Sequence, residues 1–278
     1  LFEKHPLSHF ILGTKKNISD LKKSQLDKFY RKHYVPNNMV VAISGKIPFN
    51  LKGRLLTILG GEKHQELELK FEDFKLSRTE PKIIVKSRKQ EQIALVLEFP
   101  TFGLHDSRNH QLDVLSNLLY GNMTSRLWMR LRENNPIVYG LSIDTPVYEE
   151  GGYLSIELGL SKKNLPQALK ILYVELDKLK KKLVPKKELQ GIQENLIESL
   201  LEEEDNNLDV ASFYGEKLLL ELKMETFQDE IQKIKKITSL GIRKLCQHIF
   251  DFSKMTVVEV GDVSQTTLKK LVRESFNL

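Results

Sequence analysis

The sequence predicts an α+β protein, with helices packed on a mainly antiparallel sheet and two homologous halves of which the first is truncated. Three observations predict it. Ile93, Leu95, Leu97 and Phe99 fall on alternate positions, as do Leu154, Ile156, Leu158 and Leu160, which is the pattern of half-buried strands. Apolar residues recur three and four apart through Leu165, Leu169, Leu172, Leu176 and Leu179, and again through Leu189, Ile192, Leu196 and Leu200. These are the stripes of amphipathic helices. The third observation is a repeat: Lys23 to Ile47 returns without a gap as Ser239 to Val263, since 255 minus 39 (two methionines) and 261 minus 45 (two glycines) are both 216.

In each copy of the repeat an amphipathic helix ends near an aromatic residue, Tyr34 or Phe250. A β-rich strand follows, Met39 to Ile43 or Met255 to Val260, closed by Gly45-Lys46 or Gly261-Asp262. Phe49 to Leu59 reads as a short helix that Gly60-Gly61 stops. Glu62 to Pro81 is polar and aperiodic, as a linker is. Beyond the strand at Ile93 to Phe99, Asn109 to Tyr120 and Thr124 to Glu133 read as successive helices. Gly140 to Tyr148 and Tyr153 to Leu160 form a hairpin turning at Glu149-Glu150-Gly151-Gly152. A third helix after the two leucine stripes takes Leu208, Ala211, Leu218 and Leu222. A repeat of this length, with its first copy ending near residue 60, implies roughly 150 residues of that copy upstream of Leu1. The expected division is 1–60 as the remnant of the first half, 61–81 as linker and 82–278 as the second half.

Composition excludes several classes. With 40% hydrophobic and 29% charged residues, the chain has the make-up of a soluble globular protein. No apolar run approaches the roughly 20 residues of a spanning helix, so no membrane span is expected. The compartment stays open, with a cytoplasmic setting favoured over a secreted one. A net charge of +6 raises nucleic acid as a partner, yet the lysines at 178–182 and 233–236 lie beside apolar helix positions. Solvated helix faces explain them, and no nucleic-acid partner is expected. The single cysteine, Cys246, sits on the apolar face of Ile242, Leu245 and Ile249, where an inert buried thiol is expected.

A helical zinc-peptidase site needs two histidines one turn apart with a glutamate between them. None of the seven histidines has that arrangement: His5 and His9 flank Pro6, and His105 and His110 point to different sides of a helix. This chain is expected to bind no metal. One pair stands out. Arg132 ends a helix, Asn134-Asn135-Pro136 breaks it, and Tyr139 opens the next strand, so guanidinium and phenol can converge on one point. On spacing alone a structural role is favoured, with Arg132 facing the helix C-terminal dipole and Tyr139 filling the sheet surface.

Several short strings carry a resemblance. His5-Pro6-Leu7, Ile11-Leu12-Gly13-Thr14 and Pro36-Asn37-Asn38-Met39 resemble the end of the first homologous half of the pitrilysin/insulinase family of zinc metallopeptidases. Gly121-Asn122-Met123-Thr124-Ser125-Arg126-Leu127, then Leu131-Arg132-Glu133 and Tyr139, resemble the signature of its second half. The resemblance implies a clamshell of two α/β halves around an extended peptide, with zinc held by an HxxEH segment that would fall upstream of Leu1. It also implies that Arg132 and Tyr139 bind substrate near the scissile bond, so the structural role becomes the minority reading. Many relatives have glycine four residues after the arginine; here Pro136 stands there, and a different path to Tyr139 is expected. The implied whole protein is a metalloendopeptidase with zinc as cofactor and a peptide as substrate. Its C-terminal part, alone, is expected to be inactive. It would work with the missing N-terminal half or a zinc-bearing partner subunit, and a non-catalytic partner or scaffold subunit of the same family is the alternative.

Overall fold

The strands β1 (Lys82–Ser87), β2 (Gln92–Pro100), β3 (Val138–Asp144), β4 (Tyr153–Ser161) and β5 (Thr256–Gly261) form one sheet in the spatial order β1-β5-β2-β4-β3. These come from a computed structural model that describes residues 1–60, 71, 72, 74 and 76–278. Residues 61–70, 73 and 75 of the expected linker lie outside the described residues. Only the β1–β5 pair is parallel, so the sheet is mainly antiparallel. The two alternating strands lie side by side with their apolar positions opposite one another: Ile93 faces Leu160, Leu95 faces Leu158, Leu97 faces Ile156 and Phe99 faces Leu154. All eight side chains are buried. Cross-strand apolar pairs on one face fix this register, because a slip of one residue would turn every one of them to the opposite face.

The helices are α1 (Lys15–Asp20), α2 (Lys23–His33), α3 (Leu51–Leu59), α4 (Asn109–Tyr120), α5 (Arg126–Trp128), α6 (Leu165–Lys181), α7 (Lys186–Asp205), α8 (Asn207–Leu219), α9 (Phe227–Lys235), α10 (Ser239–Ile249) and α11 (Gln265–Phe276). The α6 stripe is buried at every predicted leucine, and α6 packs against α10 and α11. Each such leucine contributes about 1.5–3 kcal/mol of transfer free energy. Thr238 starts α10 by accepting the Gly241 N–H on its hydroxyl at 3.1 Å. Among the described residues no helix is long and apolar enough to cross a membrane.

The described residues cluster as two units. The first, Leu1–Glu3, Glu72–Leu196 and Gln232–Leu278, holds the sheet and the core. The second, Lys4–Phe71 and Ile197–Ile231, has a smaller interior. There Phe213 stacks on Phe227 at 4.0 Å between ring centroids, and Lys217 Nζ lies 2.6 Å from Glu230 Oε1.

The two copies of the repeat agree closely at the backbone. Helices α2 and α10 are both 11 residues long, with bounds displaced by the same 216 positions as the sequence match. Each ends on an aromatic residue whose N–H donates to the carbonyl four back, Tyr34 to Tyr30 at 2.8 Å and Phe250 to Cys246 at 3.0 Å. They then part. In the second copy β5 lies between β1 and β2, but the strand predicted over residues 39–43 does not form. A strand exists only where a neighbouring strand takes its N–H and C=O groups, and no described strand pairs with this segment. Accordingly Leu26 and Phe29 are exposed, while Ile242 and Leu245 at the matching positions are buried. The expected third helix forms as α8 and contains Leu208, Ala211 and Leu218. Leu208 and Leu218 are exposed and Leu222 lies beyond the helix; Phe213, Tyr214 and Lys217 make the contacts with α9.

Candidate functional site

The site is built from the turn after α4. Ser125 Oγ accepts the N–H groups of Gly121 and Asn122, both at 2.8 Å, and donates to the Asn117 carbonyl at 3.2 Å. Asn122 Oδ1 in turn accepts from the backbone and hydroxyl of Thr124. A Cβ at Gly121 would fall 2.9 Å from the Asn117 carbonyl oxygen and 3.0 Å from the Asn117 Cα, so this close approach of backbone to backbone favours glycine there. The string Gly121 to Ser125 is thus a self-bonded corner that launches α5.

Two arginines one turn apart fasten that helix. Arg126 donates from Nε and Nη2 to the two carboxylate oxygens of Glu188 in α7, both at 2.8 Å. Burial is the largest single influence and opposes its charge, but the hydrogen bonds and charge of Glu188, with Glu175 adding, together hold its pKa above the usual arginine value. Arg130 Nε lies 3.1 Å from Glu175 Oε1, and Glu175 is buried within α6. With Leu127 and Leu131 buried on the same helix, the segment has little freedom to move.

Past Trp128 the helix widens into a π turn over Met129–Glu133, closed by the Asn134 N–H on the Met129 carbonyl at 2.8 Å. Arg132 emerges from it exposed. Its Nη1 donates to the carbonyls of Val138 and Tyr139, each at 2.9 Å. The connection between them is tied down by the Ile137 N–H on the Leu131 carbonyl and by Asn135 Nδ2 on the Arg130 carbonyl. Pro136 sits exposed in this connection, whose path brings the Tyr139 backbone onto Arg132.

Tyr139 is the extra residue of a β-bulge. Val138 pairs with Leu160 and Gly140 with Gly159, leaving Tyr139 without an opposite number. As a result Val138 and Leu141, three apart, are both buried, which strict alternation forbids, and Tyr139 turns its ring outward with 59% exposure. Among the described residues its hydroxyl makes no hydrogen bond. The structure therefore brings Arg132 and Tyr139 together through the tyrosine's own carbonyl, with phenol and guanidinium both open to solvent. Neither the bulge nor the π turn is predicted from spacing, though Gly140 directly after Tyr139 is the kind of strand glycine that marks a bulge.

The sequence profile described as "Peptidase M16 inactive domain" matches residues 20–196. The chain belongs to this family. Among curated relatives, the uncharacterized zinc protease YmxG of Bacillus subtilis (strain 168) is 25% identical over 259 residues, covering 88% of this chain and 59% of YmxG. An uncharacterized zinc protease of Streptomyces coelicolor is 28% identical over 184 residues, covering 64% of this chain and 40% of the relative. This member of the M16 family thus spans well under two thirds of the length of the curated relatives it matches. Its fold matches the crystal structure of a peptidase M16 inactive domain from Pseudomonas fluorescens with a TM-score of 0.81 at 18% identity, covering 95% of this chain and 63% of the other. A protease from Helicobacter pylori matches at 0.78, with 17% identity, over 90% of this chain and 61% of the other.

The zinc in the relatives' names finds no seat among the described side chains of this M16 chain. No group of three or more His, Cys, Asp or Glu there is placed to hold a metal ion. His5 Nδ1 accepts the Leu7 N–H at 3.2 Å, His33 packs on Phe29, and His105 Nε2 pairs with Glu149 at 2.9 Å. These are local contacts that leave no converging set of donors.

Proposed function

We propose that this chain is the substrate-binding, non-zinc half of a zinc-dependent metalloendopeptidase, with zinc held by a segment outside it. On this reading residues 1–60 close the first homologous half, 61–81 link the two, and 82–278 form the second. The observation that carries it is the Arg132–Tyr139 corner: an exposed guanidinium fixed by two backbone carbonyls beside an exposed phenol turned outward by a bulge. Arg132 Nη1 is committed to the chain, while Nε and Nη2 donate to no described residue and point to a substrate carbonyl as their partner. As charge develops on that oxygen, the remaining arginine donors and the Tyr139 hydroxyl stabilise it. Zinc, bound elsewhere in the whole protein, would supply the activated water. The exposed apolar face of α2 and residues 39–43 supports a partner half on that side of the second unit.

The test is peptide cleavage by the full-length protein. Arg132→Ala and Tyr139→Phe each lower kcat by about 10²–10³, the usual loss for one oxyanion donor. Unchanged turnover in both reduces the pair to structural residues. A second reading, a non-catalytic partner or scaffold subunit, is favoured by one observation: the hydrogen bonds that Arg132 makes go to its own chain. An upstream segment without HxxEH, together with zinc-independent association with a second subunit, would establish it.

A further inference from the structure

We propose that Trp128, anchored by Glu133, is a positioning residue for Arg132; this rests on the reading of Arg132 as a substrate-binding group. An exposed arginine on a helix end ordinarily samples many rotamers, and two carbonyl bonds at one nitrogen leave the guanidinium plane free to pivot. Here an indole face limits the pivot: the Arg132 Cζ lies 5.8 Å from the Trp128 ring centroid. The indole is itself fixed. Its Nε1–H donates to Glu133 Oε1 at 3.0 Å, and Tyr120 stacks on the ring at 5.9 Å with planes 29° apart.

The π turn explains how one indole meets both neighbours. In a regular α-helix a residue faces those three and four ahead, and the fifth has swung past it. The wider turn over Met129–Glu133, with its i to i+5 hydrogen bond, keeps the fifth residue alongside as well. Trp128 therefore touches Arg132 with its face and Glu133 with its edge. The carboxylate fixes the ring, and the ring sets the plane in which the free nitrogens of Arg132 are presented.

Trp128 is the only tryptophan in the chain, so its NMR and fluorescence signals are unambiguous. The first test uses the 278-residue chain and the Arg132 Nε–H resonance. The indole ring current displaces that signal in the wild type. Trp128→Phe and Glu133→Ala, which both lose the Nε1–Glu133 bond but keep an aromatic ring, each retain part of the displacement, and Trp128→Leu returns it to the position of a free arginine. The second test uses peptide cleavage by the full-length protein. Trp128→Leu lowers kcat roughly tenfold to a hundredfold, as for a misplaced catalytic donor, with KM changed far less, and Trp128→Phe, which keeps a ring but not the bond to Glu133, recovers part of the loss. Melting curves check that each variant folds, and if Trp128→Leu does not, Trp128→Phe and Glu133→Ala carry the comparison. An Arg132 signal that ignores all three substitutions overturns the positioning role. Loss of cleavage in Arg132→Ala with full cleavage in Trp128→Leu overturns it as well and leaves the proposed function standing. Full cleavage in Arg132→Ala, with the signal shifts as described, overturns the proposed function instead.

Discussion

Two buried residues show how environment decides chemistry. Cys246 is fully buried on the inner face of α10, and burial pushes its thiol up to about 12, with Arg126 opposing. The thiolate is the reactive form, so native protein should not react with an alkylating reagent at pH 8, and unfolding in urea should expose one thiol per chain. Reaction in the native state would contradict the packing described. Glu259 is less comfortable. It is buried in β5, and neither carboxylate oxygen accepts a hydrogen bond of good geometry among the described residues, although the Val263 N–H lies near enough to act on it. Burial raises its pKa, Asp262 adds to the effect, and Val263 N–H and Lys162 oppose it. A carboxyl whose folded pKa is raised destabilises the fold at neutral pH. The penalty fades as pH falls through the folded value toward the unfolded one near 4.3. Glu259→Met should therefore stabilise by about 1–3 kcal/mol at pH 7, and the gain in urea denaturation should shrink toward pH 4. The inert cysteine is legible from its place on an apolar stripe, but the strand pattern alone does not reveal the carboxylate on the inner face.

At the scale of elements, what the sequence predicts best is what apolar periodicity alone determines. The eight alternating residues of β2 and β4 pair as their pattern demands, and every leucine of the α6 stripe is buried. Prediction fails where a neighbour decides. Residues 39–43 have the composition of a strand but no described strand partner, and Leu222, expected in the third helix, lies past the end of α8. The candidate site is legible as two residue types at a spacing. The bulge at Tyr139 and the π turn before Asn134 are single-residue irregularities that no period records. The fastening of α5 makes a further prediction. Arg126→Ala leaves Glu188 without its bidentate partner at a site where the arginine side chain is 12% exposed. The Glu188 side chain is 33% exposed, so water takes over part of the lost bonding, and breaking the pair from this side costs about 1–3 kcal/mol, readable as a lower urea midpoint with unchanged slope. Glu188→Gln, which keeps one acceptor oxygen, should cost less. Equal losses would mean that packing of the arginine stem, and not the ion pair, holds the helix.

For the whole molecule the repeat supplies a controlled comparison. Phe29 and Leu245 occupy matching positions, 216 residues apart, on helices of equal length and similar ending. Leu245 is 2% exposed within the core and Phe29 is 58% exposed, its ring 4.4 Å from that of His33 and tilted 37° to it. If the proposed first half covers the α2 face as the sheet and α6 cover α10, the two positions become equivalent only in the full-length protein. In the 278-residue chain, Leu245→Ala should then cost about 2–5 kcal/mol, while Phe29→Ala should stay within about 0.5 kcal/mol of wild type. In the full-length protein Phe29→Ala should cost about 3–5 kcal/mol as well. The same exposed face should bind a hydrophobic dye in the shorter chain and lose that binding in the longer one. Thermal or urea melts of the same two variants in both lengths decide it. A Phe29→Ala cost that does not grow with the added chain would mean that the α2 face stays uncovered, and the partner half would have to dock elsewhere.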